Sequence, residues 1–120
     1  MNLFEMIHVE QFPNICLLKQ NFTDSSIDNV YKHISAQMQN SSYLGLHPGM
    51  RIAVGVGSRG ISELDKITRA VIDRLKAFGT EPFIVPAMGS HGGASAGGQS
   101  EILKSMGITE KAMQVPVIVG

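Results

Sequence analysis

The sequence predicts an α/β fold, a single three-layer, Rossmann-like domain over residues 1–120 with a mostly parallel sheet in β-α-β-α-β order. Three observations predict this class. Short apolar runs alternate with stretches of helical periodicity, and a glycine follows each of the two later helical stretches. The hydrophobic content of 43% is enough for a core, and 120 residues is an ordinary length for one domain.

The first half of the chain contains two predicted strands around one predicted helix. Residues 12–18 form an apolar run, in which Pro13 favours an edge position or the start of the strand. Residues 24–26 offer N-caps for a helix that should reach Gln39. Residues 50–56 are a short apolar run typical of a buried parallel strand. The apolar face of the helix recurs at steps of three and four residues: Ile27, Val30, Tyr31, Ile34 and Met38.

A second helix and a third apolar run follow. Ser62 and Asp65 make a start like a capping box, and Gly79 supplies the stop after a helix that should end near Phe78. Residues 82–85 are the next predicted strand. The buried stripe of this helix is predicted to be Leu64, Ile67, Val71, Leu75 and Phe78.

The last predicted helix runs from about Ser95 to Met106 and ends at Gly107. Ile102, Leu103 and Met106 should face inward. Residues 115–120 form the final predicted strand. A parallel strand normally continues into a crossover, so we expect this domain to be the N-terminal part of a longer two-domain protein.

Charge and composition exclude several functional classes. Lys plus Arg and Asp plus Glu each number 10, so no excess of positive charge points to nucleic acid. The N-terminus lacks the features of a signal peptide, and no apolar run approaches the length of a membrane span. We therefore expect a cytoplasmic protein with neither a nucleic-acid nor a membrane partner. The single cysteine, Cys16, excludes an intrachain disulfide and is predicted to be a small buried core residue.

Two glycine-containing loops follow predicted strands, residues 57–60 and residues 89–93. Ligands of open parallel sheets bind outside the carboxyl ends of the strands, so the two loops should face one crevice if their strands are neighbours. The second loop is dense in glycine and precedes a helix, whose N-terminal donors favour an anion or a phosphate. It has neither the Walker ending nor the G-x-G-x-x-G spacing.

Three side chains on these loops are candidates for chemistry. His91 is suited to be a general base on a substrate hydroxyl or a metal ligand, although a loop histidine can also serve only the backbone. Arg59 offers a two-pronged donor for a carboxylate or phosphate, or is a solvated residue before a helix. Ser58 can hydrogen-bond a substrate or simply form the turn. No metal site is predicted, because the four histidines lack ligand spacing.

At these residues the sequence resembles a known family. The segments 51–61 (RIAVGVGSRGI), 81–94 (EPFIVPAMGSHGGA) and 107–110 (GITE) are similar to the N-terminal domain of the nickel-pincer lactate racemases and their uncharacterised relatives. The resemblance runs from about Phe12 to the last residue. It implies a two-domain enzyme with a nickel-pincer nucleotide between the domains, which takes a hydride from the α-carbon of a 2-hydroxy acid and returns it to either face.

By motif, the resemblance makes His91 the base that deprotonates the substrate hydroxyl and Arg59 the ligand of the substrate carboxylate. Ser58 is a second predicted substrate-binding residue. The predicted cofactor-binding positions are Gly89, Ser90, Gly92 and Gly93. The family's cofactor-tethering lysine, nickel-binding histidine and second catalytic histidine should lie beyond Gly120, so this chain alone should hold no complete cofactor.

The first loop departs from the family pattern, and this bears on the substrate. Lactate racemases carry Asp-x-Thr-Arg there, whereas this chain has Val56-Gly57-Ser58-Arg59. The expected function is the catalytic and substrate-binding domain of a nickel-dependent 2-hydroxy-acid racemase or epimerase, with a 2-hydroxy acid or another carboxylate as substrate and the missing C-terminal domain as partner. The alternative is a non-catalytic module that binds a phosphate or a nucleotide at the glycine loop.

Overall fold

The structure, a computed structural model, describes residues 15–23, 25–39, 45–58 and 60–120. Four α-helices and two β-strands make up its regular elements, in the order α1 (Val30–Gln37), β1 (Arg51–Val56), α2 (Leu64–Ala77), β2 (Glu81–Pro86), α3 (Ala96–Ser105) and α4 (Glu110–Met113). A 3₁₀ turn, His91–Ala94, precedes α3. In the part of the chain described, no helix is both long and apolar enough to cross a membrane.

The sheet is built on a parallel pair of strands. Arg51 lies opposite Glu81, and Val56 lies opposite Pro86. On the other side of β2, Val117 forms a single parallel bridge to Ile84. The N–H of Ile84 donates to the carbonyl of Pro116, and the N–H of Ile118 donates to the carbonyl of Ile84, each at 2.8 Å. The α/β class with parallel strands is thus confirmed, although the final predicted strand is reduced to this bridge.

The core lies between one face of the sheet and the helices. It comprises Val56, Ile72, Ile84, Met88, Leu103, Ile108, Met113 and Val115, all at most 7% exposed. On the opposite face of the sheet, Ala53 and Gly55 are exposed, and Ile118 is 44% exposed. A three-layer fold needs helices on both faces, so the second helical layer stays a prediction.

The predicted ends of α2 and α3 are confirmed, and their hydrogen bonds show why. Gly79 and Gly107 have φ values of 78° and 77°, which glycine adopts without steric cost. The N–H of Gly107 donates to Lys104, and that of Ile108 donates to Leu103, both at 2.9 Å. The same pair of bonds closes α2. This is the Schellman arrangement, which satisfies carbonyls that the helix leaves free.

The predicted start of α2 is wrong. The residue at the N-cap position is Glu63, which is in the left-handed conformation (φ 56°, ψ 34°) and makes no side-chain capping bond. Its carboxylate pairs with Lys66 instead. A capping serine needs an extended backbone directly before the first helical residue, and the left-handed Glu63 occupies that place. Ser62 and Asp65 therefore form no capping box.

The buried stripe of α2 is only partly the predicted one. Leu75 is buried, while the other predicted positions are half-buried. The most buried members include Ala70 and Ile72, both at 0% exposure and neither predicted. The helix contacts the sheet on one side and α1 on the other, so its covered arc is wider than one stripe.

Helix α1 packs against α2 and buries little. It begins after Asn29, whose side chain caps the N–H of Lys32 at 2.8 Å, so it is shorter than the predicted helix. The Tyr31 hydroxyl donates to Asp73 Oδ2 at 2.9 Å, and this bond raises the pKa of Tyr31. Of the predicted apolar face, Val30, Ile34 and Met38 are half-buried, whereas Ile27 and Tyr31 are exposed.

The predicted first strand is not formed in its described part. Residues 15–18 belong to no strand, and residues 12–14 lie outside the described residues. Ile15 is 92% exposed, and Cys16 is exposed rather than buried as predicted. An apolar run becomes a strand only where another strand edge accepts its hydrogen bonds, and the run itself does not specify that edge.

Ile72→Ala should lower the free energy of unfolding by about 2–5 kcal/mol, because Ile72 is fully buried in the core. Ile61, which is 57% exposed, provides the control, and Ile61→Ala should change stability by less than about 0.5 kcal/mol. Urea unfolding followed by circular dichroism measures both variants. Equal midpoints for the two variants would contradict the placement of the core.

Candidate functional site

The two candidate loops begin side by side. Val56 and Pro86 are opposite one another at the carboxyl ends of β1 and β2, and the Ala87 N–H donates to the carbonyl of Val56 at 2.8 Å. The chain after each strand therefore leaves the sheet at the same edge. The condition set for a shared crevice, neighbouring parallel strands, is met.

One hydrogen bond joins the loops. Ser58 Oγ is bonded to His91 Nδ1, across 33 positions of sequence. Both residues are half-buried, so the contact is partly shielded from water. Since Nδ1 is engaged, Nε2 is the ring nitrogen left for another group. Ser58, predicted as a substrate ligand, thus has its oxygen directed to the histidine.

The path of the glycine loop depends on several residues with positive φ. Gly89 has φ 58°, and the His91 N–H closes the turn by donating to the carbonyl of Met88 at 3.2 Å. Gly92 and Gly93 are then both left-handed, with φ and ψ near 65° and 25°. Ala94 follows at φ 52°, which costs about 1–2 kcal/mol for a residue with a Cβ. This path sets where the His91 ring stands.

Gly92 also packs tightly against helix α3. A Cβ on Gly92 would lie 2.4 Å from the carbonyl carbon of Gly98, and a Cβ on Gly98 would lie 2.0 Å from the Gly92 oxygen. Both positions require glycine for this contact. Gly92 was predicted to allow a ligand close to the backbone. Its contact with Gly98 requires glycine at this position whether or not a ligand binds.

Two side chains, one at the N-cap of α3 and one within it, hold the loop by hydrogen bonds. Ser95 Oγ donates to the carbonyl of Gly92 at 2.8 Å and accepts from the N–H of Gly98 at 3.1 Å, so it caps the helix. Gln99 Nε2 donates to the carbonyl of Gly89 at 2.9 Å. The roles of Gln99 and Gly98 were missed, and the only signal was the four-residue spacing that puts Ser95 and Gln99 on one helix face.

Other loop positions are open to a ligand. Among the described residues, no atom beyond the chain neighbours lies within 4 Å of a Cβ built on Gly89 or Gly93. Ser90 is exposed, and so are Ala96 and Gly97 in the first turn of α3, where helix N–H groups lack partners within the helix. A flat or anionic group can thus approach the backbone here. Met88, directly before the loop, is 7% exposed and belongs to the core.

Arg59, the predicted carboxylate ligand, lies outside the described residues. Among the residues that are described, no cluster of three or more His, Cys, Asp or Glu side chains could hold a metal ion. His33 and His47 are both exposed and stand apart from the loop pair.

Gly92→Ala and Gly93→Ala form a matched pair, because both backbones are left-handed and only Gly92 touches Gly98. Gly93→Ala should lower the free energy of unfolding by about 1 kcal/mol, the cost of a Cβ at positive φ. Gly92→Ala should cost about 1–3 kcal/mol more, because the loop or α3 must shift. Denaturant unfolding measures the difference, and equal losses would rule out the close contact.

Comparison with known proteins found no relative of this chain. No model of a protein family, no curated protein and no solved structure matches the chain. The resemblance to the nickel-pincer lactate racemases therefore stays a prediction from the quoted motifs. The function is inferred from the two loops and the bond between Ser58 and His91.

Proposed function

We propose that this chain is the base-bearing and substrate-binding domain of a cytoplasmic nickel-pincer-dependent 2-hydroxy-acid racemase or epimerase. The observation that carries the proposal is the bond between Ser58 and His91 across two strand-end loops. This bond places a hydroxyl and an imidazole together at the edge of the sheet where open parallel sheets bind ligands. A histidine that served only its own loop would need no partner from the other one.

The reaction needs a base at the substrate hydroxyl. As the α-hydrogen leaves with its electron pair, the hydroxyl oxygen must give up its proton to become the carbonyl oxygen of a 2-oxo acid. His91 Nε2 is suited to take that proton and to return it when the hydrogen comes back to either face. When bound, the nickel-pincer nucleotide supplies the acceptor for the α-hydrogen and its electron pair.

The substrate carboxylate needs cationic or N–H donors beside the base. Arg59 follows Ser58 directly in the chain and carries the planar donor pair that suits a carboxylate. The exposed first turn of α3 offers further N–H groups and the positive end of the helix dipole. These groups favour a small acid as the substrate.

The proposed cofactor contacts fit the open part of the glycine loop. Gly89 and Gly93 leave space that a Cβ would take, and Ser90 is exposed between the strand and the 3₁₀ turn. Gly92 is less open than these positions, since Gly98 occupies the place that a Cβ on Gly92 would take. The remaining ligands of the cofactor are expected from the C-terminal domain.

His91→Ala should reduce exchange of the α-hydrogen by about 10²–10⁴-fold, the usual contribution of a general base. The measurement is loss of the α-proton NMR signal of a panel of 2-hydroxy acids in deuterated water, with the intact cofactor-loaded protein. His47→Ala, at an exposed turn before β1, is the control and should exchange at the unchanged rate. Unchanged exchange in His91→Ala would remove His91 from the mechanism.

A non-catalytic phosphate or nucleotide module is the second candidate, favoured by the exposed first turn of α3 after an open glycine turn. Gly97 is the better probe of this idea, because no atom of the described part of the chain, its own neighbours aside, lies within 4 Å of a Cβ there and its φ is not positive. Gly97→Leu should block phosphate approach without disturbing the loop.

Calorimetry with inorganic phosphate and ATP tests the second candidate. Binding by the wild type that is lost in Gly97→Leu, without any α-hydrogen exchange, would favour the module over the enzyme. Absence of binding by the wild type would count against the module.

A further inference from the structure

The bond between Ser58 and His91 has a direction that decides what the imidazole can do. A neutral imidazole carries its proton on one nitrogen, and the other nitrogen accepts. If the Ser58 hydroxyl donates to Nδ1, the proton resides on Nε2, and Nε2 can only donate. If Nδ1–H donates to Ser58 Oγ, Nε2 carries the lone pair and can accept a proton.

The surroundings of the pair hold both partners in place. The contact is half-buried, so water competes less for Nδ1 than it does at an exposed histidine. Ser58 stands two residues after β1, whose end is held to Ala87 by a 2.8 Å backbone bond. On the other side, the His91 backbone is held by the turn from Met88 and by the packing of Gly92 on Gly98. Both partners are thus anchored to the sheet and α3.

We propose that Ser58 is a positioning residue for His91: its Oγ accepts from Nδ1–H, and this keeps Nε2 unprotonated and able to accept a proton. The assignment rests on the proposed function, in which Nε2 accepts the proton of the substrate hydroxyl. It replaces the predicted role of Ser58 as a direct substrate ligand. A second partner that orients an imidazole through its other nitrogen is a common device for setting the tautomer.

The tautomer is measurable without turnover. In the intact protein with ¹⁵N-labelled histidine, long-range ¹H–¹⁵N correlations at about pH 8 distinguish the two neutral forms, since an unperturbed imidazole is then mostly neutral. His91→Gln assigns the His91 signals. We expect His91 to be mainly the Nδ1–H form, unlike the exposed His33. A mainly Nε2–H form would overturn the proposal.

Three serine variants make the result specific. Ser58→Ala should lose the Nδ1–H majority, because the acceptor is gone. Ser58→Thr should keep it, because threonine retains the hydroxyl. Ser62→Ala, an exposed serine outside the pair, should leave the tautomer unchanged. Retention of the Nδ1–H form in Ser58→Ala would assign its cause elsewhere and overturn the role of Ser58.

Kinetics separate positioning from substrate binding. In the cofactor-loaded intact protein, Ser58→Ala should lower kcat by about 10–100-fold with little change in KM, and Ser58→Thr should restore it. A raised KM with unchanged kcat would instead make Ser58 a substrate ligand.

The two proposals fail in different ways. If the wild type exchanges no α-hydrogen while the tautomer behaves as expected, the proposed function fails and the Ser58–His91 assignment stands. If the wild type exchanges the α-hydrogen while His91 is mainly the Nε2–H form, the proposed function stands and the role of Ser58 is overturned.

Discussion

The parallel pairing of β1 with β2 is the constraint on which the site depends. Because the strands are parallel and paired residue by residue, both end at the same edge of the sheet, at Val56 and Pro86. A backbone hydrogen bond from the Ala87 N–H to the carbonyl of Val56 extends the pairing by one residue. Ser58, two residues after β1, then meets His91, five residues after β2. In an antiparallel pair the two carboxyl ends would lie at opposite edges, and these side chains could not meet.

The path of the second loop is fixed by backbone packing and by side-chain hydrogen bonds to its carbonyls. Gly92 and Gly98 approach so closely that neither tolerates a Cβ, and Ser95 and Gln99 hold the carbonyls of Gly92 and Gly89. Helix α3 and its N-cap residue therefore fix the conformation of the turn that carries His91. The left-handed Ala94 shows that this path is retained even where the residue is unfavourable for it.

Local signals account for much of what the sequence predicted well. Alternating apolar runs and helical periodicity located β1, α2, β2 and α3 to within about two residues, because these patterns depend on short segments. The glycine stops after α2 and α3 were found because a left-handed residue at a helix end nearly demands glycine. The start of α2 was missed since Ser62 and Asp65 look like a cap, whereas the left-handed Glu63 follows from the incoming loop. The apolar run at residues 15–18 misled because strand formation needs a partner edge.

By itself, the sequence determined the alternation of strands and helices and the two strand-end loops, and it singled out His91, Arg59 and Ser58 as the candidates for chemistry on them. Tertiary structure decided that the side chains of Ser58 and His91 meet, that Nδ1 is the engaged nitrogen, and that Gly92 serves the packing of α3. The physical reason is range. Helix and turn preferences act over a few residues, whereas a contact between positions 58 and 91 exists only after strand register and helix packing have set the distance between them.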